Sequence, residues 1–165
     1  MQHRALVQNA LMYMNQKAEL YDTLFSQLKS LITSDENQIS NMANFTAAVK
    51  SSFGFLWVGF YMVQNEQLIL GPFQGPVACT RIRKNKGVCG TSWARKETII
   101  ANNVHDFPGH IACNGEANSE IVIPIVREGE VFGVLDIDSA ELNYFDEVDQ
   151  KRLENICKWF ATVIS

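Results

Sequence analysis

The sequence predicts an α+β sandwich in which one antiparallel β-sheet is flanked by helices. Three observations carry that expectation. Apolar residues recur at three- and four-residue steps near both ends of the chain. Between them the period changes to short runs rich in β-branched and aromatic residues. Two polar turns, Gln64 to Gln67 and Glu128 to Glu130, separate such runs as hairpin connections. With 165 residues, 47% of them apolar and 19% charged, the chain is long enough for one domain around one core. A single domain over 1–165 is therefore expected, with N-terminal helices in 1–52, the sheet and its loops in 56–138, and a last helix in 146–164.

The first helix carries Leu6, Ala10, Met14, Leu20, Leu24, Leu28 and Leu31, with a break expected around Asn15 to Lys17. Ser34-Asp35-Glu36 offers an N-cap for a second helix with Ile39, Met42, Ala43, Phe45, Thr46 and Val49 on it, ending near Ser51 to Gly54. Leu56 to Val63 and Leu68 to Leu70 make the first hairpin. A glycine- and proline-rich middle follows, holding a short helix near Val88 to Arg95, a strand at Thr98 to Ala101 and a long connection over 102–119. Ile121 to Val126 and Val131 to Ile137 form the second hairpin. Asp146 with Asp149 then opens a final amphipathic helix carrying Val148, Leu153, Ile156, Trp159, Phe160 and Val163.

Charge and composition exclude several classes of function. The formal net charge is −4 and the only basic cluster is Arg81 to Lys86, which argues against nucleic acid as a partner. Polar residues interrupt the first twenty positions before any membrane span or leader can form, so a soluble, cytoplasmic protein is expected. No glycine-rich phosphate or dinucleotide motif joins a strand to a helix, so no cofactor is implied. His105 and His110 lack metal-ligand spacing to the cysteines, and loop hydrogen bonding is their simplest role.

The cysteines are the informative feature. Cys79, Cys89 and Cys113 lie in loops beside glycine, proline or polar turn residues, whereas Cys157 sits between Ile156 and Trp159 on the last helix as a small core hydrophobe. Their spacing contains no C-x-x-C pair, which removes a zinc ribbon or a thioredoxin-type dithiol. Loop thiols in a reducing compartment point to redox chemistry with a transient disulfide. Cys89 begins the short helix, where amide groups favour a thiolate, with Lys84 and Lys86 adding to that expectation.

Six blocks then narrow the reading: WVGFY at 57–61, LILGPFQG at 68–75, KGVCGT at 86–91, GHIAC at 109–113, SEIVIPI at 119–125 and GVLDIDS at 133–139. Together with the element order, which is typical of a GAF domain, they closely resemble the free methionine-(R)-sulfoxide reductases. The resemblance implies reduction of free methionine-R-sulfoxide to methionine with electrons from thioredoxin. In this sequence it implies Cys113 as the attacking thiol, and Cys79 or Cys89 as the thiol that resolves the resulting sulfenic acid into a disulfide. It further implies Trp57 and Tyr61 as the pocket for the methyl end of the substrate, with Glu120, Asp136 and Asp138 as polar contacts. One departure is Asn114, where the family pattern leads one to expect an aspartate after the cysteine. Whether the chain forms a homodimer stays open.

The acids have a chemical reason to be there. A sulfoxide sulfur is electrophilic only when its oxygen is protonated or strongly hydrogen-bonded, so an acid must stand close by. Asp136 and Asp138 are two apart on one strand and share a face, and Glu120 starts the neighbouring strand near the Asp138 end. Carboxylates crowded in this way cannot all ionise cheaply, so at least one should hold a proton near neutral pH. Glu120 and Asp138 are the expected groups around the oxygen, with Asp136 supporting them. Trp57 and Tyr61, four apart, share a strand face, while Phe60 is assigned to the core. Two other classes compete: a GAF module that binds a ligand without turnover, and a thiol redox sensor or peroxide scavenger, which would need neither the acids nor the aromatic wall.

Overall fold

The computed structural model describes residues 2–111, 113 and 115–164. Asn114 and the side chains of His3, Leu6 and Ala10 lie outside that description. Helix α1 spans Gln2–Leu31 without the break expected at Asn15 to Lys17. The polar residue that interrupts the apolar pattern has its own partners. The buried Lys17 ammonium donates to Asp146 at 2.9 Å and to Asp149, and the Tyr21 hydroxyl donates to Asp149 at 2.7 Å. Helix α2, Gln38–Phe53, is capped by Asn37, whose side chain accepts from the Ile39 amide at 2.8 Å. The Ser34 to Glu36 stretch expected to cap it is the turn before the helix, closed by Glu36 N–H to the Thr33 carbonyl. Gly54, with a left-handed φ of 67°, ends α2.

Strands β1 Trp57–Gln64, β2 Gln67–Gln74, β3 Arg81–Arg83, β4 Ile99–Ala101, β5 Ser119–Arg127 and β6 Glu130–Ser139 form one antiparallel sheet in the order β3-β2-β1-β6-β5-β4. Both hairpins turn on two left-handed residues, Asn65 with Glu66 and Glu128 with Gly129, the geometry whose twist matches the flanking strands. Two strands exceed the sequence expectation. β2 continues through Gly71-Pro72, and the basic stretch contributes β3, where exposed Arg81 and Arg83 flank the buried Ile82. Helix α3, Gly87–Arg95, links β3 to β4. Helix α4, Glu147–Val163, starts with a full capping box between Asp146 and Asp149, as the sequence predicts.

Strand alternation divides the molecule into two layers. Val58, Phe60, Ile121, Ile123, Leu135 and Ile137 face α1, α2 and α4, where they pack with residues such as Leu28, Phe45 and Phe160. Trp57, Tyr61, Val122 and Val134 face the other way, towards Val88, Cys89 and Trp93 of α3. The helical layer holds the main core and the α3 layer is free for chemistry. No helix among the described residues is long and apolar enough to cross a membrane.

The Lys17 network fastens α1 to the start of α4. Replacing Lys17 by methionine leaves the Asp149 carboxylate, 0% exposed, without its cation. Stability should fall by about 3–5 kcal/mol in urea unfolding. A loss under 1 kcal/mol would mean the ion pair does not hold the helices together.

Candidate active site

Cross-strand register builds the site. Trp57 lies opposite Asp138 and Gly59 opposite Asp136 on the β1–β6 side, while Glu120 lies opposite Asp138 across β5–β6. Paired residues share a face, so Trp57, Glu120, Asp136 and Asp138 all point into the α3 layer. Leu135 and Ile137 occupy the helical core, which leaves Asp136 and Asp138 no other side. Gly59 makes room for the aromatic wall. A Cβ there would run into the Trp57 ring and lie 2.6 Å from the Phe73 Cβ. Trp57 stacks between Phe73 and Tyr61, with ring centroids 5.3 Å and 5.9 Å away.

Burial sets the charge state of the acids. Glu120 and Asp136 are each 7% exposed. Loss of solvent pushes the Asp136 carboxyl up to about 6. It raises Glu120 and Asp138 well above the usual carboxylate range, and repulsion from their carboxylate neighbours adds to the effect. Glu120 and Asp138 thus tend to keep their protons at neutral pH, while Asp136 gives its proton up as the pH rises through about 6. The Asp136 Oδ1 is buried without a hydrogen-bond partner among the described residues.

The thiols separate into two environments. Cys79 and Cys113, 34 positions apart, are joined in a disulfide with 5.1 Å between their Cα atoms. Cys89 stays a free thiol, buried beneath them with its Sγ 3.8 Å from Glu120 Oε1. The thiolate expected at the α3 start does not form there. Burial, with Asp136 and Glu120 alongside, pushes the Cys89 thiol far up, and the Lys84 ammonium sits over the Trp93 ring instead, 5.0 Å from its centroid. Cys157 is buried in the helical core and its thiol is likewise pushed up by burial.

A cavity of about 40 Å³ lies between these groups, lined by Trp57, Tyr61, Cys113, Glu120, Asp136 and Asp138 among others. The aromatic wall also anchors the segment carrying Cys79, a role not readable from the sequence. Tyr61 Oη donates to the Cys79 carbonyl at 2.9 Å, and Trp57 Nε1 to the Pro76 carbonyl at 3.1 Å. On the opposite rim the Gly87 amide donates to the Gly109 carbonyl at 3.1 Å, tying α3 to the segment that carries Cys113. His110 lines the cavity too, beyond the loop role read from the sequence, and burial with His105 nearby lowers its pKa. Its place in the GHIAC block was the signal available. His105 hydrogen-bonds Asn118 outside the cavity.

The family model of the GAF domain matches residues 40–165. GAF domain-containing protein A of Dictyostelium discoideum is 54% identical over 143 residues, covering 86% of this chain and 90% of that protein. The free methionine-R-sulfoxide reductase of Saccharomyces cerevisiae is 42% identical over 151 residues, 86% of this chain and 84% of that protein. Among solved structures, the free methionine-R-sulfoxide reductase of Neisseria meningitidis in complex with its substrate superposes with a TM-score of 0.86 at 44% identity, covering 88% of this chain and 89% of that one. The GAF match takes in the sheet that aligns the acids and the loops that carry the thiols, and with these relatives the chain belongs to the free methionine-R-sulfoxide reductase family of GAF-domain proteins.

Proposed function

We propose that this protein reduces free L-methionine (R)-S-oxide to L-methionine, using Cys113 as nucleophile and thioredoxin as the source of electrons. The observation that carries the reading is the Cys79–Cys113 disulfide beside a cavity that has a stacked aromatic wall on one side and clustered, proton-holding carboxyls on the other. The names of the Saccharomyces and Neisseria relatives support the substrate.

In the reduced protein the methyl end of the substrate lies against Trp57 and Tyr61, and the sulfoxide oxygen is directed to Glu120 and Asp138. A proton shared from one of these carboxyls makes the sulfur electrophilic. The Cys113 thiolate attacks, the sulfur–oxygen bond of the substrate breaks, and oxygen with one proton stays on Cys113 as sulfenic acid while methionine leaves. The Cys79 thiol then displaces water from that sulfenic acid and the disulfide forms. Reduced thioredoxin opens it by thiol–disulfide exchange, giving oxidised thioredoxin and both thiols back. Each cycle moves two electrons from thioredoxin to the sulfoxide and releases one water.

Cys89 is not needed as the resolving thiol on this reading, because its thiol is buried and held protonated. Room for a few waters, and not for an amino acid, remains in the disulfide form. Reduction and movement of the segment carrying Cys113 therefore come before substrate binding.

Incubation with separated epimers of free methionine sulfoxide, thioredoxin, thioredoxin reductase and NADPH tests the reading. The R epimer should be consumed with matching methionine formation, and the S epimer and a peptide-bound sulfoxide left intact. Consumption of NADPH by hydrogen peroxide but by neither epimer would replace this reading with a peroxide scavenger.

A further inference from the structure

We propose that Cys89, Glu120 and Asp136 form a binding site for a thiophilic divalent cation of the Zn²⁺ class, which closes the polar end of the cavity to the substrate. One donor atom from each of the three residues lies within 4.8 Å of the other two, and all three residues are buried. The Cys89 Sγ to Glu120 Oε1 distance of 3.8 Å is close to the separation of about 3.6 Å between a sulfur and an oxygen on one tetrahedral zinc ion.

A second observation points to a ligand independently of the cluster. Asp136 is 93% buried, its carboxylate lines the cavity, and its Oδ1 has no partner among the described residues. An orphaned buried oxygen is costly unless something satisfies it. A cation does so and also offsets the repulsion among the acids. The donors stand on three rigid elements, α3, β5 and β6, with Glu120 and Asp136 diagonal to one another across the hairpin. One sulfur and two carboxylate oxygens, with a fourth position open to the cavity, suit zinc and disfavour magnesium or calcium, which demand more oxygen ligands. Because Cys89 takes no part in the disulfide, the donor set exists in both oxidation states. Binding releases the thiol proton to solvent. The blocking of substrate rests on the reductase reading, whereas binding of the cation does not.

The test uses the whole chain in its disulfide form, stripped of metal and titrated with Co²⁺ as a spectroscopic probe, then with Zn²⁺ against a chromophoric chelator. One equivalent should bind with a sulfur-to-cobalt absorption band in the near ultraviolet. Cys89→Ser should abolish the band and weaken Zn²⁺ binding by roughly a hundredfold or more, and Asp136→Asn should weaken it by at least tenfold with an unchanged circular dichroism spectrum. In the reduced protein, the free R-sulfoxide and Zn²⁺ should exclude one another. Absence of the band, or Zn²⁺ binding undiminished in both variants, overturns the site. Tight binding that leaves turnover unaffected overturns the blocking. Failure to reduce the R epimer in metal-free protein overturns the reductase reading and leaves the cation site standing.

Discussion

Replacing Cys113 by serine should remove turnover of free methionine-R-sulfoxide, with a loss of at least about 10⁴-fold set by the missing nucleophile. The neighbouring groups cannot substitute for it. Cys89 is buried and protonated, and Cys157 lies in the opposite layer behind the sheet. Cys79→Ser should behave differently: one methionine forms per protein, the reaction stops, and a sulfenic acid on Cys113 accumulates where a carbon nucleophile can trap it. The same experiment on Cys89→Ser should show no trapped species, because Cys79 still resolves it. Serine at position 113 with normal turnover would sink the mechanism. A sulfenic acid that persists in Cys89→Ser and not in Cys79→Ser would assign resolution to Cys89 instead.

The sequence revealed the elements that have local chemistry. The Asp146–Asp149 capping box, the two hairpins and the strand-face alternation of Trp57 with Tyr61 all appear in the structure because each depends on residues within a few positions of one another. What escaped depends on distant partners. The unbroken α1 required Asp146 and Asp149, some 130 positions away, to accept Lys17. The loss of Cys89 acidity likewise came from burial, with Asp136 and Glu120 folding over it, against the helix-end and lysine signals in its own neighbourhood. Only spatial assembly could place Cys79 rather than Cys89 against Cys113, since ten positions separate the two in sequence and both precede Cys113. The acid cluster was legible only in part: the Glu128–Gly129 turn brings the start of β5 to the Asp138 end of β6, but its register alone would set Glu120 opposite Ile137, and the register shift between Ile125 and Val126 moves the partner to Asp138.

Removing the acids should trade activity for stability. Glu120→Gln and Asp138→Asn should each lower kcat/KM by about 10²–10⁴-fold, the range expected when a proton donor is taken from the transition state. Full turnover in both would show that the oxygen is polarised by some other group. Their neighbour Asp136 carries a cost in folding. Asp136 has its pKa raised from 3.8 to about 6 by burial. A carboxyl with a raised folded pKa holds its proton more tightly in the folded state. The stability it lends is complete below about pH 4 and is lost as pH rises through about 6. At pH 8 the folded protein therefore bears the cost of the buried charge, and Asp136→Asn should raise stability there by on the order of 1–3 kcal/mol. At pH 4 the substitution should change little. Thermal unfolding at the two pH values measures the difference, and a variant destabilised equally at both would mean that packing, not charge, governs this position. Activity should decline over the alkaline range for the related reason that the clustered carboxyls surrender the proton the sulfoxide oxygen needs.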